Sequence, residues 1–72
     1  MKRGLVRPGR KLKIARVTAD LRQCDLAERA GVHQTLISLL ERGKRGTTIK
    51  TAGRIADALG CDIEDLMSDE AA

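Results

Sequence analysis

Residues 23–42 read QCDLAERAGVHQTLISLLER, two short runs of helix-forming residues on either side of Gly31. Apolar residues repeat at helical spacing in both runs. Glycine adopts a positive φ readily, so Gly31 suits a tight turn between two helices. The pattern predicts helices over 23–30 and 34–42 that cross at a steep angle, with one face of the second turned outward.

Outward from this stretch the helical pattern continues. A helix over 11–20 ends at Asp20, and its buried stripe is either Leu12, Ala15 and Ala19 or Ile14, Val17 and Leu21. A fourth helix is capped by Thr47 or Thr48 and stopped by Gly60, and Asp62 caps a short fifth helix. Because the chain has no Phe, Tyr or Trp, its core is aliphatic, which favours helices over strands.

Charge divides the chain unevenly. Residues 1–56 hold all 14 Lys and Arg against four acids, a net charge of +10, whereas residues 57–72 hold six acids and no base, a net charge of −6. A basic body is typical of a protein that binds a polyanion. Proteins that bind single strands or RNA usually stack bases on aromatic side chains. Because this chain has no aromatic residue, double-stranded DNA is the favoured polyanion.

Several classes of protein are disfavoured. Cys24 and Cys61 lie far apart and the single His33 cannot complete a zinc site with them, so we expect no metal, no cofactor and a reduced, cytoplasmic protein. No apolar run is long enough to span a membrane, and the start of the chain does not resemble a signal peptide. No nucleophile and base can be paired, so we predict no enzyme activity and no small-molecule ligand.

The sequence strongly resembles the lambdoid repressor and Cro family of helix-turn-helix proteins, also called the XRE family. The resemblance covers about residues 11–67. The motifs that carry it are Arg16, Gln23 with Leu26-Ala27, Gly31-Val32, Ile37-Ser38, Leu40-Glu41-Arg42-Gly43-Lys44, and Ile55-Ala56 with Ala58-Leu59-Gly60. The resemblance implies an all-α, five-helix bundle, here the DNA-binding domain (11–67). Composition indicates a flexible basic arm (1–10) before it and an acidic tail (68–72) after it.

The resemblance also assigns roles to residues. The third helix becomes the recognition helix, and Arg16 pairs with Glu41 to fix it to the scaffold. The expected base-reading residues are Gln34, Thr35, Ser38 and Leu39. Gln34 is the foremost of these, since a Gln amide exchanges two hydrogen bonds with adenine N6 and N7. Leu39, at a position often polar in the family, can pack on thymine methyl groups.

Phosphate contacts are expected around the recognition helix. The candidates are Gln23, Arg22, Arg42, Lys44, Arg45 and Lys50. In relatives a Gln at the position of Gln23 binds a phosphate and braces a Gln on the third helix, which here is Gln34. Two positions depart from the family: Arg22 and His33 stand where Ser or Thr usually caps a helix.

One recognition helix covers few base pairs, so we predict a homodimer on a palindromic operator, weak in solution and assembled by DNA. By resemblance its contact lies near Gly60, Cys61, Ile63 and Met67. The predicted function is transcriptional regulation, most simply repression, in a bacterium or phage.

Two alternatives stay open. An antitoxin-like or adaptor protein would use Leu36, Leu39, Ile14 and Val17 against a protein partner, and its binding would tolerate salt, whereas DNA binding would not. A controller of restriction-modification or prophage genes, activating as well as repressing, would share the fold.

Overall fold

The computed structural model describes residues 5–67. Over this range it is mostly helical, with four α-helices, one 3-10 turn and two short strands. In chain order the elements are β1 (Leu5–Val6), α1 (Arg10–Thr18), α2 (Gln23–Ala30), α3 (Gln34–Glu41), β2 (Thr47–Thr48), α4 (Ile49–Leu59) and the 3-10 turn (Ile63–Leu66).

The helix ends lie where local chemistry predicts them. Gly31 ends α2 with φ 72°, the left-handed backbone conformation that favours glycine. Asp20 has φ 61°, the left-handed conformation expected after α1. Thr48 caps α4, its hydroxyl accepting a hydrogen bond from the Thr51 backbone N–H at 3.2 Å. Gly60 ends α4, as predicted.

The predicted fifth helix is one 3-10 turn, so the five-helix count is not confirmed. The four residues Ile63–Leu66 form i to i+3 bonds, from Asp65 N–H to the Asp62 carbonyl and from Met67 N–H to the Glu64 carbonyl. The Asp62 N–H donates to the Asp65 carboxylate at 3.2 Å. So short a segment has no room for successive i to i+4 bonds, yet it buries Leu66 completely.

The N-terminal segment differs from the prediction. Residues 1–10 were expected to be a flexible arm outside the core, but Leu5–Val6 pairs antiparallel with Thr47–Thr48. Val6 is 2% exposed and Pro8 is also buried. The reason is that Val6 is a β-branched apolar residue opposite a strand edge, which helical periodicity does not reveal. Lys2 and Arg3, and the tail at 68–72, lie outside the described residues.

The core is aliphatic, as predicted. The fully buried large side chains in the described range are Leu12, Leu26, Ile37, Leu40, Ile55 and Leu66. Each contributes about 1.5–3 kcal/mol by leaving water. In α1 the stripe with Leu12 and Ala15 faces this core, whereas Ile14 and Val17 are 56% and 58% exposed. The α2–α3 pair thus packs on α1 and α4 with the outer side of α3 uncovered.

Candidate nucleic-acid interface

The outer face of α3 carries the residues predicted to read bases. Gln34 and Thr35 are exposed, and Ser38 and Leu39 are half-buried. The opposite face is closed, because Ile37, Leu40 and Glu41 are buried. The helix therefore presents a short polar strip with one apolar member, a shape and chemistry suited to base edges in a groove.

The remaining leucine of α3 has a different place. Leu36 is half-buried and packs against the core cluster. It serves the scaffold, so it is a poor candidate for an exposed protein-docking residue. Of the side chains named for that alternative, Ile14 and Val17 are the clearly exposed ones.

A charged network fixes α3 to α1. Arg16 Nε donates to Glu41 Oε2 at 2.5 Å and Arg16 Nη2 donates to Glu41 Oε1 at 3.2 Å, while Arg16 Nη1 donates to the Leu21 carbonyl at 2.8 Å. The Arg16 and Glu41 side chains are only 12% and 4% exposed. Such a forked pair prescribes both distance and orientation between the helices that carry it.

Gln23 joins this network. Its Nε2 donates to Glu41 Oε1 at 3.0 Å, so the Glu41 carboxylate accepts from both Arg16 and Gln23. Within residues 5–67 the Gln23 amide thus contacts Glu41 and not the expected Gln34. Sequence reasoning missed this bond because it paired Gln23 with the other polar residue expected nearby; the buried carboxylate, with more acceptor sites than one Arg fills, is the signal that was available.

The start of α2 is organised by Arg22 and Asp25. The Arg22 N–H donates to Asp25 Oδ2 at 3.0 Å, and its guanidinium donates to both Asp25 oxygens at 3.0 and 3.2 Å. The hydrogen bond from the Arg22 side chain, and after it the bond from the Arg22 backbone, lowers the pKa of Asp25 because both stabilise the charged carboxylate. In this conformation Arg22 is paired with Asp25 at the site where a phosphate contact was expected.

His33, at the start of α3, forms no side-chain cap hydrogen bond in the described structure. Here the departure from a Ser or Thr cap leaves the first N–H groups of α3 without an acceptor on the cap side chain. Cys24, in the first turn of α2, is exposed and forms no disulfide within the described residues.

Cations follow α3. Arg42 lies at the C-terminal end of α3, Lys44 and Arg45 lie in the loop that follows, and Lys50 lies in the first turn of α4. All four side chains are exposed. No acidic residue occurs in the sequence between Glu41 and Asp57, which includes this loop and the first two turns of α4. This arrangement frames one end of the α3 strip with positive charge, which suits a phosphate backbone.

The residues predicted for the dimer contact lie between the end of α4 and the end of the 3-10 turn. Gly60 is exposed, Met67 is 44% exposed, and Cys61 and Ile63 are half-buried against the core. Burial, and to a smaller extent the nearby Asp65 and Asp62, raises the pKa of the Cys61 thiol. The surrounding acids, all exposed, are Asp57, Asp62, Glu64 and Asp65.

In the described part of the chain no cluster of His, Cys, Asp and Glu could hold a metal ion. None of the helices in that part is long and apolar enough to cross a membrane.

A family model described as helix-turn-helix matches residues 12–66, from α1 to the end of the 3-10 turn. The chain belongs to the XRE-type helix-turn-helix family. The resemblance noted in the sequence is thereby confirmed. This helix-turn-helix chain is 41% identical over 56 residues to an uncharacterized HTH-type transcriptional regulator of Methanocaldococcus jannaschii, covering 78% of this chain and 85% of that protein.

Two solved structures share the architecture of this helix-turn-helix chain. The restriction-modification controller protein C.AhdI from Aeromonas hydrophila matches with a TM-score of 0.80 and 27% identity, over 86% of this chain and 94% of that one. The clp gene regulator ClgR from C. glutamicum matches with a TM-score of 0.78 and 27% identity, over 82% and 76%. The family match begins at residue 12, so it does not include β1.

Proposed function

We propose that this protein is a transcriptional regulator that binds double-stranded DNA at specific sequences, with α3 in the major groove. The observation that carries the proposal is the exposed strip of α3 beside a run of exposed cations, with the buried face of the same helix clamped by Arg16 and Glu41. A rigid helix with free polar groups and flanking positive charge has the parts needed for reading and anchoring.

In this proposal Gln34, Thr35, Ser38 and Leu39 read base edges. Gln34 is exposed in the first turn of α3, where it can meet adenine N6 and N7 with both amide groups. Leu39 offers methyl groups to thymine, and the hydroxyls of Thr35 and Ser38 suit either donors or acceptors.

Phosphate anchoring is assigned to Arg42, Lys44, Arg45 and Lys50. Arg22 joins them if it exchanges Asp25 for a phosphate, and Gln23 contributes through its backbone N–H at the start of α2 while its amide holds Glu41. Anchors of this kind give affinity and register without selecting a sequence.

The operator-bound form is proposed to be a homodimer on two half-sites, meeting near Gly60, Cys61, Ile63 and Met67. The exposed acids beside this patch would face their copies across a two-fold contact, which keeps the free dimer weak. Such a regulator would act in the cytoplasm, where it meets its DNA; the bacterial or phage source stays a prediction.

Selection of bound duplexes from a random pool tests the proposal. On the selected site, Gln34→Ala should lower affinity by about 1–3 kcal/mol and relax one base position, whereas Lys44→Ala should weaken all duplexes alike and reduce the salt dependence. Exposed Glu28→Gln, away from α3, serves as the control. If the wild-type protein enriches no sequence and retains no duplex at low salt, the proposal is wrong.

A second candidate is a restriction-modification controller that activates as well as represses. The structural match to the restriction-modification controller C.AhdI, over 94% of that protein's chain, favours it. Transcription in vitro from a promoter carrying the selected site, placed upstream of or over the polymerase site, separates activation from repression.

A protein-interaction module is less well supported. Leu36, one of its four apolar residues, packs against the core, and the exposed strip of α3 is largely polar. Binding that survives high salt would favour it, since DNA affinity falls steeply as salt rises.

A further inference from the structure

We propose that the segment of residues 5–10 is a fixed clamp on the basic loop Gly43–Gly46, and that Arg7 on this clamp is a phosphate-binding residue. The inference deepens the proposed DNA-binding function and rests on it. It replaces the flexible basic arm expected from the sequence with a short strand that belongs to the binding surface.

Strand pairing positions the segment. Leu5 lies opposite Thr48 and Val6 opposite Thr47, immediately after the basic loop. Val6 and Thr47 are 2% and 8% exposed, so the pair is sealed against the body of the domain. Since side chains alternate along a strand, Leu5 and Arg7 lie on the outer side, and both are exposed.

The same register brings Arg7 opposite Gly46. A Cβ on Gly46 would lie 3.0 Å from Arg7 Cγ, 3.3 Å from Leu5 Cβ and 3.3 Å from the Val6 carbonyl oxygen. The strand therefore lies directly on the end of the loop, and Gly46 is the residue that admits it. Two of these three atoms, Leu5 Cβ and the Val6 carbonyl oxygen, are fixed by the backbone and cannot move by a change of side-chain rotamer.

The residues after the strand hold it at its other end. Pro8 is buried, and Gly9, with φ 53°, turns the chain into α1 at Arg10. The clamp is thus attached on one side to β2 and on the other to α1, the helix that carries Arg16.

Charge gives the clamp its function. Arg7 lies beside a loop that contributes Lys44 and Arg45, and Lys50 follows in the first turn of α4; all four side chains are exposed. A cation on an ordered backbone loses less conformational freedom on binding than one on a free arm. The resulting cluster extends the positive surface beyond α3 along the line a phosphate backbone would take.

The first test is the salt dependence of binding to the selected duplex. Arg7→Gln should reduce the slope of log K against log salt by about 0.9, the value for one neutralised phosphate. Arg29→Gln is the matched control, an equal change of charge on the exposed last turn of α2, and should leave the slope unchanged. An Arg7→Gln slope equal to the wild-type slope would overturn the inference.

The second test distinguishes the position of the strand from the charge of Arg7. Gly46→Ala should displace the strand, remove the cross-strand NOEs between Val6 and Thr47 in the free protein, and lower the salt slope as Arg7→Gln does. The double variant should bind no more weakly than the weaker single variant. Wild-type protein lacking these NOEs, or additive losses in the double variant, would refute the clamp even where DNA binding persists; no duplex binding by the wild type would instead reject the proposed function.

Discussion

Two parts of the domain, residues 10–41 and residues 47–66, differ in the interactions that hold their helices in place. In residues 10–41 the apolar core is joined by a charged network of Arg16, Glu41 and Gln23, which links α1, α2 and α3 through bonds of 2.5–3.2 Å. In residues 47–66 the chain relies on apolar packing of α4, on the Thr48 cap and on a single 3-10 turn.

The difference shows how orientation is specified. Aliphatic packing holds α4 in place but accepts small shifts, because methyl groups have no preferred direction. A forked Arg–Glu pair with a third donor is satisfied in one geometry only. The polar network therefore fixes the orientation of α3, the helix proposed to read bases, whereas α4 is held without such a network.

The largest effect is expected from breaking the network. Glu41→Ala leaves the Arg16 charge largely buried without its partner and should lower the free energy of unfolding by about 3–5 kcal/mol in urea denaturation. Glu28→Ala, on the exposed face of α2, is the control and should change little.

If Glu41→Ala does not fold, the double change Arg16→Met with Glu41→Leu keeps the volume and should fold with similar stability, since such replacements are often neutral. We expect this variant to discriminate less between the selected duplex and an unrelated one. Unchanged discrimination would contradict the orienting role of the network.

A smaller effect is expected from Gln23. Gln23→Ala removes one donor to the Glu41 carboxylate and should lower the free energy of unfolding by about 1–2 kcal/mol without DNA present. Gln34→Ala is the matched control, because that amide is exposed and its loss should leave stability unchanged. A double-mutant cycle with Glu41→Gln should show coupling; independent effects would argue for a phosphate role alone.

In residues 47–66, replacement of Gly53 by alanine should stabilise the folded protein. A Cβ at Gly53 would meet only Ile63 Cδ1 at 3.5 Å, an ordinary contact, so packing does not require glycine at this position. Gly53→Ala should raise the free energy of unfolding by about 0.5–1 kcal/mol through the helix preference of alanine. Gly31→Ala, at φ 72° and 3.0 Å from Arg54, should destabilise. Destabilisation by Gly53→Ala would show that α4 packs as strictly as α3.

The smallest effect concerns the start of α2. Arg22 holds the pKa of Asp25 below its ordinary value, so the stabilisation is present above the unfolded pKa of about 3.9 and is lost as pH falls through the lower folded value. Arg22→Ala should raise the Asp25 pKa measured by NMR titration, and Arg29→Ala should raise it less. Equal rises would mean that charge, and not the direct bond, causes the shift.

The local features of the fold were predictable residue by residue. Helical spacing located α2 and α3, the glycines at 31 and 60 located two helix ends, and Asp20 and Thr48 adopted the predicted turn and cap. Each depends on backbone preferences within a few residues. The outer strip of α3 follows too, because it is the face opposite the buried residues, whose helical spacing is visible in the sequence.

Contacts between distant residues required the folded chain. Periodicity left two stripes of α1 open, and packing chose Leu12 and Ala15. Pairing of β1 with β2, the bond from Gln23 to Glu41 and the shortening of the last helix were all missed. Residue type and spacing along the chain set φ preferences and amphipathic faces, but the partner of a strand edge or of a buried carboxylate depends on which groups the assembled helices bring within 3 Å.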